Sequence, residues 1–206
     1  MQLALIDHYD SFTFNVIDWL VADGQPSVQI EHVACDDAAG LARLARGSWP
    51  LVLSPGPGRP EDAPGTLDCV RGLIGKVPIL GICLGHQMLA HLAGACIVGS
   101  AAPFHGATRE IRVCSGASAL LAGLPWRFHA ALYNSLVVAP DTLDFPWKVA
   151  AFCDQGEVQA IARELPGEAP AYGLQFHPES FLSENAEAIR TGWFAVVRAW
   201  EAGRPG

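Results

Sequence analysis

Short apolar runs alternate with segments of helical spacing over the first 92 residues, and this rhythm limits the fold more than any other feature of the chain. The spacing predicts strands at residues 2–7, 28–33, 51–54 and 77–82, and helices at residues 12–23, 41–46, 66–74 and 86–92. Strands that alternate with helices pair in parallel, because each helix carries the chain back along one face of the sheet. We therefore predict an α/β fold with an open, mostly parallel sheet and helices on both faces.

The second half of the chain consists of shorter strands and one long helix. Strands are predicted at residues 111–114, 136–139, 149–152, 158–163 and 171–175, and the helix at residues 184–200. Some of these strands follow one another with no helix between them, which predicts a smaller antiparallel portion. The 206 residues are half apolar and contain no internal repeat or linker, so we expect one domain spanning residues 1–206.

The charge of the chain narrows the possible partners. The net charge is −8 and the 13 basic residues form no run. This pattern excludes an extended nucleic-acid surface and an anionic membrane surface. The first apolar run is too short for a leader, and no stretch of about eighteen apolar residues occurs anywhere. We therefore expect a soluble, cytoplasmic protein with no contact to membrane or nucleic acid.

The six cysteines are spread along the chain without a Cys-x-x-Cys pair. Their spacing suits neither a zinc site nor a compact disulfide framework. We expect reduced cysteines, five of which pack in the interior, and we expect no metal and no cofactor. The sixth, Cys83, differs from the others in its neighbours.

Cys83 lies within Gly-Ile-Cys-Leu-Gly at residues 81–85, directly after a predicted strand and directly before a predicted helix. Small flanking residues permit a sharp turn that pushes one side chain out above the sheet. A thiol at the start of a helix faces unpaired N–H groups and the positive end of the helix dipole, and both favour the reactive thiolate. The pattern alone is also compatible with a buried cysteine between two closely packed glycines.

His177 and Glu179 follow the last predicted strand, 94 residues after Cys83 (177 − 83). In an extended segment, residues two apart point to the same side, so Glu179 can hold the His177 imidazole towards the thiol. The three residues then form the Cys–His–acid arrangement of nucleophilic catalysis. A lone histidine at a strand end is more often structural, and it is the combination with Cys83 that points to catalysis.

Three loops that follow predicted strands should converge beyond the carboxyl ends of the sheet, where open α/β sheets bind ligands. These loops cover residues 54–60, 83–87 and 176–180. The first combines glycines, which free the backbone, with prolines, which stiffen it, and this composition can hold N–H groups at fixed positions. By composition alone, an ordinary surface turn is the more typical interpretation.

Five motifs occur in order along the chain. They are Asp-His-Tyr-Asp-Ser-Phe-Thr-Phe-Asn at 7–15, Leu-Ser-Pro-Gly-Pro-Gly at 53–58, Gly-Ile-Cys-Leu-Gly-His-Gln at 81–87, Tyr-Asn-Ser-Leu-Val-Val at 133–138, and the segment 175–183 with its His-Pro-Glu. Together they resemble the class I, triad-type glutamine amidotransferases, and within them the small glutaminase subunits of anthranilate synthase and aminodeoxychorismate synthase. The resemblance covers nearly the whole chain and implies the flavodoxin-like α/β fold of that family.

The resemblance also implies which residues form the site. It implies a catalytic triad of Cys83, His177 and Glu179, and an oxyanion hole from the backbone N–H groups of Gly56 and Leu84. Such donors typically lower a barrier by on the order of 3 kcal/mol. The residues implied for binding the substrate amino acid are Gly56, Pro57, Gly58, Gln87, Ser135 and Leu136. Without the resemblance, a solvent-facing helix position and a plain strand start would explain residues 87 and 135–136 as well.

The reaction implied by the resemblance is hydrolysis of L-glutamine. The Cys83 thiolate attacks the side-chain amide carbon, His177 protonates the departing ammonia, and water then hydrolyses the γ-glutamyl thioester. Free ammonia is mostly protonated in neutral water and no longer nucleophilic, so we expect a partner that receives it. The implied partner is a separate chorismate-binding synthase subunit, in a heteromer where contact with the synthase switches the glutaminase on.

Two other interpretations remain open at this point. A stand-alone γ-glutamyl-type cysteine hydrolase would keep the triad without a partner, and a non-catalytic interaction subunit would keep the triad without using it. The pathway is also open between folate, tryptophan and a secondary product, because the partner's active site makes that choice. Six tryptophans favour folate or a secondary pathway, since an enzyme needed when tryptophan is scarce should contain little of it.

Three positions depart from the family pattern. The family usually has His-Gly-Lys where this chain has His-Gly-Ala at 105–107, and Tyr-His-Ser where it has Tyr-Asn-Ser at 133–135. Both departures lie outside the triad and bear on the coupling to a partner. The third is His8, where asparagine is usual, and the sequence alone gives this residue no role.

Overall fold

The computed structural model describes residues 1–22, 28–101 and 106–203, and strands dominate its architecture. The strands in those residues are β1 (Gln2–Asp7), β2 (Gln29–Ala34), β3 (Leu51–Leu53), β4 (Ile79–Ile82), β5 (Ile97–Gly99), β6 (Ala107–Val113), β7 (Arg127–Leu132), β8 (Leu136–Val138), β9 (Trp147–Cys153), β10 (Val158–Arg163) and β11 (Ala171–Leu174). The α-helices are α1 (Thr13–Val21), α2 (Ala38–Leu44), α3 (Pro64–Leu73), α4 (Leu84–Leu92) and α5 (Ala186–Ala202). Short 3-10 turns lie at Pro60–Asp62 and Pro140–Thr142.

One nine-stranded sheet has the order β2-β1-β3-β4-β11-β10-β9-β6-β7. The pairs from β2 to β11 in this order are parallel, and the pairs from β11 to β7 are antiparallel. Strands β5 and β8 form a separate antiparallel pair. The predicted fold class is confirmed, with β11 as the strand that belongs to both the parallel and the antiparallel part.

Helices cover both faces of this sheet, and two apolar cores lie beneath them. Side chains of α1 and α5, including Trp19 and Trp193, pack into one core against β1, β4 and β11. Side chains of α2, α3 and α4, including Val70 and Met88, pack into the other core on the opposite face. Strands buried on both faces read as continuous apolar runs, which is why β3 and β4 are so apolar.

Two strands were not predicted, and the α-helices begin about one to three residues away from their predicted starts. Strand β5 is only three residues long, and β7 has a polar and alanine-rich sequence with little strand propensity of its own. Helix α1 begins at Thr13 without a side-chain cap, and the Asp10 carboxylate accepts the Phe12 N–H just before the helix. The predicted end of this helix, Asp23, lies outside the described residues.

All six cysteines are free thiols in the structure. Cys69 and Cys153 are buried and Cys35 and Cys114 partly buried, but Cys96 is exposed, so the expectation of interior packing is wrong for Cys96. In the part of the chain that the structure describes, no helix is both long enough and apolar enough to cross a bilayer.

The loops that follow β1, β3, β4 and β11 meet at one edge of the sheet. The Cys83 N–H after β4 donates to the Leu174 carbonyl at the end of β11, at 2.8 Å. The His8 N–H after β1 donates to the Ser54 hydroxyl after β3, at 2.9 Å. This edge lies at the carboxyl ends of the parallel strands, the position where open α/β sheets carry their sites.

Candidate active site

Cys83 occupies a strained turn between β4 and α4. Its φ is 52°, in a region that residues other than glycine rarely adopt, and the residue is 7 % exposed. Helix α4 begins at the next residue, so the thiol sits at the helix N-terminus as the sequence predicts. A non-glycine residue in this conformation persists only where the surroundings impose it, and such positions concentrate at functional sites.

Two glycines make this turn possible. A Cβ at Gly81 would overlap the Gly85 carbonyl oxygen, and a Cβ at Gly85 would lie 2.6 Å from both the Leu53 carbonyl oxygen and the Leu53 Cβ. These obstacles include backbone atoms, which cannot move aside as a flexible side chain can. The Gly-x-Cys-x-Gly pattern therefore reflects two close approaches that exclude any side chain.

His177 and Glu179 form a buried pair beside this turn. The His177 Nδ1 lies 2.7 Å from the Glu179 Oε1, and the two side chains are 3 % and 0 % exposed. Since a carboxylate can only accept, Nδ1 carries the proton in this bond and Nε2 is the nitrogen left for another partner. Neither Nε2 nor the second carboxylate oxygen has a hydrogen-bond partner among the described residues.

The surroundings of His177 favour its charged form. Burial by itself lowers the pKa of His177, but the neighbouring Cys83 sulfur and the Glu179 carboxylate raise it to about 10. The rings of Phe12 and Tyr133 lie 5.3 Å and 4.8 Å from the imidazole, centroid to centroid, and limit its access to water. A buried, charged imidazole beside a sulfur can supply a proton to a group that departs there.

Gly56 and Leu84, the residues implied for the oxyanion hole, line the same cavity as Cys83. A Cβ at Gly56 would lie 2.6 Å from the Leu84 Cδ2 and 2.5 Å from the His8 Cβ, so the two loops are in close contact. Neither N–H group donates a hydrogen bond to any described residue. Two unpaired N–H groups next to a thiol can donate to the negative oxygen of a tetrahedral intermediate.

A cavity of about 140 Å³ opens above Cys83. Its walls are Gly56, Pro57, Gly58, Cys83, Leu84, Gln87, Tyr133, Asn134, Ser135 and Leu136. Every residue predicted to bind the substrate amino acid therefore lines one cavity, together with the thiol and both unpaired N–H donors. The volume suits a single amino acid better than a larger ligand, since drug-sized ligands occupy pockets of about 300 Å³ or more.

The sequence of this chain matches a known protein family over most of its length. The family model for class-I glutamine amidotransferases matches residues 4–195. The chain belongs to this family.

Two solved structures share the fold at low identity: a Thermoplasma acidophilum protein provisionally described as part of a GMP synthase, and a glutamine amidotransferase of Thermotoga maritima. The first has a TM-score of 0.80 at 22 % identity, covering 98 % of this chain and 96 % of its own. The second has a TM-score of 0.69 at 19 % identity, covering 97 % and 95 %.

Relatives with assigned names are more similar in sequence. The bifunctional protein TrpGD of Thermotoga maritima is 37 % identical over 91 % of this chain, which spans only 31 % of that longer protein. Aminodeoxychorismate/anthranilate synthase component 2 of Bacillus subtilis is 35 % identical, with coverage of 96 % and 97 %. Aminodeoxychorismate synthase component 2 of Escherichia coli is 36 % identical, with coverage of 91 % and 96 %.

In this amidotransferase, the Gln87 side chain is already engaged within the protein. Its Nε2 donates to the Leu136 carbonyl at 3.1 Å and to the Gln175 Oε1 at 3.0 Å. The same Leu136 carbonyl also accepts from the Asn134 Nδ2 at 3.0 Å, so its two lone pairs are both used. Asn134, one of the departures from the family pattern, thus supports the cavity wall. At the other departure, Ala107 begins β6, and His105 lies outside the described residues.

In this amidotransferase, His8 forms a hydrogen bond with Ser54, next to the loop that carries Gly56. The His8 Nδ1 lies 3.2 Å from the Ser54 Oγ, which donates its single hydrogen to the Pro55 carbonyl at 2.6 Å. The hydroxyl must therefore accept from His8, which fixes the Nδ1–H tautomer. Burial lowers the pKa of His8 to about 4, so the ring is neutral at physiological pH. His8 braces the loop that carries Gly56.

Three residues of the site had no role in the sequence analysis: Phe12, Tyr133 and Gln175. The two aromatic rings enclose His177, and Gln175 donates to the Cys83 sulfur at 3.5 Å. For Gln175 a signal existed, because residues two apart on an extended segment share a face, and position 175 is two before His177. For the aromatic residues no local signal existed, because their contacts depend on strands far apart in the chain.

Proposed function

We propose that this chain is the glutaminase subunit of a chorismate-using synthase, with L-glutamine as its substrate. The observation that carries the proposal is the arrangement around Cys83: a thiol on a strained turn, beside the buried His177–Glu179 pair, at the base of an amino-acid-sized cavity. We assign the roles of nucleophile, acid–base and orienting carboxylate to these three residues. The family model spans 4–195, which supports treating residues 1–206 as one amidotransferase domain.

The geometry supports a two-stage mechanism. The Cys83 sulfur attacks the amide carbon of glutamine, and the Gly56 and Leu84 N–H groups stabilise the oxyanion. His177, held in its charged form, donates a proton to the departing ammonia and becomes the base for the second stage. A water molecule activated by His177 attacks the γ-glutamyl thioester, glutamate leaves, and the sulfur regains its negative charge.

A protein partner follows from the fate of ammonia. Two of the relatives are named component 2 of a synthase, and the name of one of them includes both aminodeoxychorismate and anthranilate. We infer that this chain likewise delivers ammonia to a separate synthase subunit that binds chorismate. Neither the cavity nor the triad distinguishes the folate branch from the tryptophan branch, because the acceptor chemistry takes place on the partner.

The proposal is tested with the complex as it exists in the cell. The tagged chain is purified from its own cells, the co-purifying protein is identified, and the complex is supplied with chorismate and glutamine. We expect anthranilate or aminodeoxychorismate as the product. Cys83→Ala should abolish glutamine-dependent product formation by at least about 10³-fold while bulk ammonium still supports it. Cys153→Ala, at a buried cysteine outside the site, should leave both activities intact.

Two results would overturn this proposal. Rapid release of glutamate by the isolated chain, with no partner recovered, would identify a stand-alone γ-glutamyl-type hydrolase instead. Unchanged glutamine-dependent activity in Cys83→Ala would mean that the triad is not used and that the chain is a non-catalytic interaction subunit.

A further inference from the structure

A chain of hydrogen bonds connects the cavity wall to the Cys83 sulfur. The Leu136 carbonyl accepts from the Gln87 Nε2 at 3.1 Å, and the same nitrogen donates to the Gln175 Oε1 at 3.0 Å. The Gln175 Nε2 in turn donates to the Cys83 Sγ at 3.5 Å. For a sulfur acceptor, whose radius exceeds that of oxygen, this is a hydrogen-bonding distance.

The Leu136 carbonyl, at one end of this series of hydrogen bonds, determines the orientation of both side-chain amides. A main-chain carbonyl can only accept, so Gln87 must present its NH₂ group to Leu136. The second hydrogen of that group points to Gln175, which must therefore present its oxygen to Gln87. The NH₂ group of Gln175 is left facing the sulfur. Rotating the Gln175 amide by 180° would place two NH₂ groups together and an oxygen against a thiolate.

We propose that Gln175 is a catalytic residue whose side-chain N–H stabilises the Cys83 thiolate. This inference rests on the proposed function, because it takes Cys83 as the nucleophile. A hydrogen bond to a charged acceptor is stronger than one to a neutral acceptor, so the Gln175 donor favours the thiolate over the thiol. The helix N-terminus and His177 act on the same sulfur from other directions.

The bond changes strength through the reaction in a definite sequence. When Cys83 ionises, its proton moves to the His177 Nε2 and the electron pair stays on sulfur, where Gln175 donates to it. When the sulfur bonds to the amide carbon of glutamine, that charge passes to the carbonyl oxygen and the Gln175 bond weakens. When water cleaves the C–S bond, the pair returns to sulfur and the bond strengthens again. Gln175 therefore favours both ionisation at the start and departure of the thiolate at the end.

The Gln175 side chain that provides this donor lies in the protein interior. Gln175 is 0 % exposed, and its main-chain N–H donates to the Gln159 carbonyl at 2.9 Å on the neighbouring strand β10. The Gln175 amide that faces the sulfur is therefore itself closed to solvent. Gln159 offers a matched control, because it is equally buried but neither polar atom of its side chain has a hydrogen-bond partner among the described residues.

The experiment measures the reactivity of the thiol directly. The rate of Cys83 alkylation by iodoacetamide is followed against pH in the isolated chain, with mass spectrometry of the Cys83 peptide to separate it from the other thiols. In Gln175→Leu we expect the pH of half-maximal alkylation to rise by about one unit, the equivalent of one hydrogen bond to a charged group. Gln175→Glu keeps the shape but adds a negative charge, and should raise it further. Gln159→Leu should leave the profile unchanged.

The same variants are then assayed in the complex with the synthase partner. Loss of the Gln175 donor should lower kcat for glutamine-dependent product formation by about tenfold, with less than a threefold change in KM. An alkylation profile in folded Gln175→Leu that coincides with that of Gln159→Leu would overturn the inference. If Gln175→Leu fails to fold, an unshifted profile in the isosteric Gln175→Glu would overturn it equally.

Alkylation needs neither glutamine nor a partner, so the two proposals can fail separately. A shifted profile without any glutaminase activity would reject the proposed function and keep the effect of Gln175 on the thiol. Glutaminase activity with an unshifted alkylation profile would keep the proposed function and reject the effect of Gln175 on the thiol.

Discussion

At the scale of single residues, Glu179 acts on the sulfur only through His177. Its side chain is fully buried, and its hydrogen bond to the His177 Nδ1 leaves Nε2 as the nitrogen that exchanges protons. The carboxylate has two effects: it selects the tautomer, and its charge raises the pKa of the imidazole against the effect of burial. A neutral amide in its place would keep the shape and the tautomer but remove the charge.

We expect Glu179→Gln to lower glutaminase activity in the complex by on the order of 10²-fold at pH 8. The pKa of His177 should fall, because burial lowers it and the Glu179 charge that raises it is gone. The variant therefore loses its imidazolium at a lower pH than the wild type does. The ratio of variant to wild-type activity should therefore increase when the pH is lowered from 8 to 6.

A pH-rate comparison of wild type, Glu179→Gln and the exposed control Glu187→Gln checks this expectation. The control should match wild type throughout. If the loss in Glu179→Gln were the same at every pH, the carboxylate would act only by orienting the ring.

At the scale of elements, the turn from β4 to α4 places the thiol. Gly81 faces the Gly85 carbonyl and Gly85 faces Leu53 on β3, so strand, turn and helix lie at their closest possible approach. The Cys83 N–H also donates to the end of β11, which joins the thiol to the strand that leads to Gln175 and His177. The position of the sulfur therefore depends on three neighbouring parallel strands.

Gly85→Ala should destabilise the protein by about 1–3 kcal/mol, because the new methyl group overlaps Leu53. The free energy of unfolding from urea titration measures the cost, and Cys83 alkylation reports the displacement of the thiol.

Gly72→Ala is the matched control. This glycine lies within α3 with no atom within 4 Å of an added Cβ, so the same substitution should stabilise the protein by up to about 1 kcal/mol. Equal effects at positions 72 and 85 would show that close packing does not determine the turn.

At the scale of the whole molecule, the parallel and antiparallel parts of the sheet are joined around Glu164, just after β10. Its carboxylate accepts from the Ala119 N–H at 2.7 Å, the Tyr172 hydroxyl on β11 at 2.9 Å and the Lys148 Nζ on β9 at 3.1 Å. Burial by itself raises the pKa of Glu164, but these donors lower it below the ordinary 4.5. The ionised carboxylate thus stabilises the folded state.

Glu164→Gln should lower the free energy of unfolding at pH 7 by about 1–2 kcal/mol. Because the pKa is depressed in the folded state, this stabilisation is fully present above the ordinary pKa and is lost as the pH falls through the folded value. The difference between variant and wild type should therefore shrink below about pH 4.5.

Denaturant titrations at several pH values measure this difference. Asp68→Asn removes an exposed ion pair with Arg71 and should change stability by less than about 0.5 kcal/mol at every pH. A constant deficit in Glu164→Gln down to pH 3 would show that its charge contributes nothing.

The sequence predicted those parts of the molecule that local pattern determines. The strand–helix alternation gave the parallel sheet, and the spacing of two residues placed Glu179 beside His177. Strand β7 was missed because it depends on partners far along the chain: its Ala131 carbonyl accepts the His177 N–H at 3.0 Å. The contacts of Tyr133 with the site depend on the same distant pairings, so no local pattern could predict them. Gln175 differs, because its position two residues before His177 on an extended segment is a local signal.

The position of β11 between the parallel and antiparallel parts of the sheet affects the order in which the site forms during folding. This strand pairs in parallel with β4, which is synthesised about ninety residues earlier, and antiparallel with β10, which comes just before it. Gln175 directly follows β11 and His177 comes two residues later, whereas Cys83 directly follows β4. In a nascent or partly folded chain, the Cys83 thiol therefore lacks His177 beside it until β11 inserts into the sheet. With the roles proposed for Cys83 and His177, ammonia is released only after the sheet is complete.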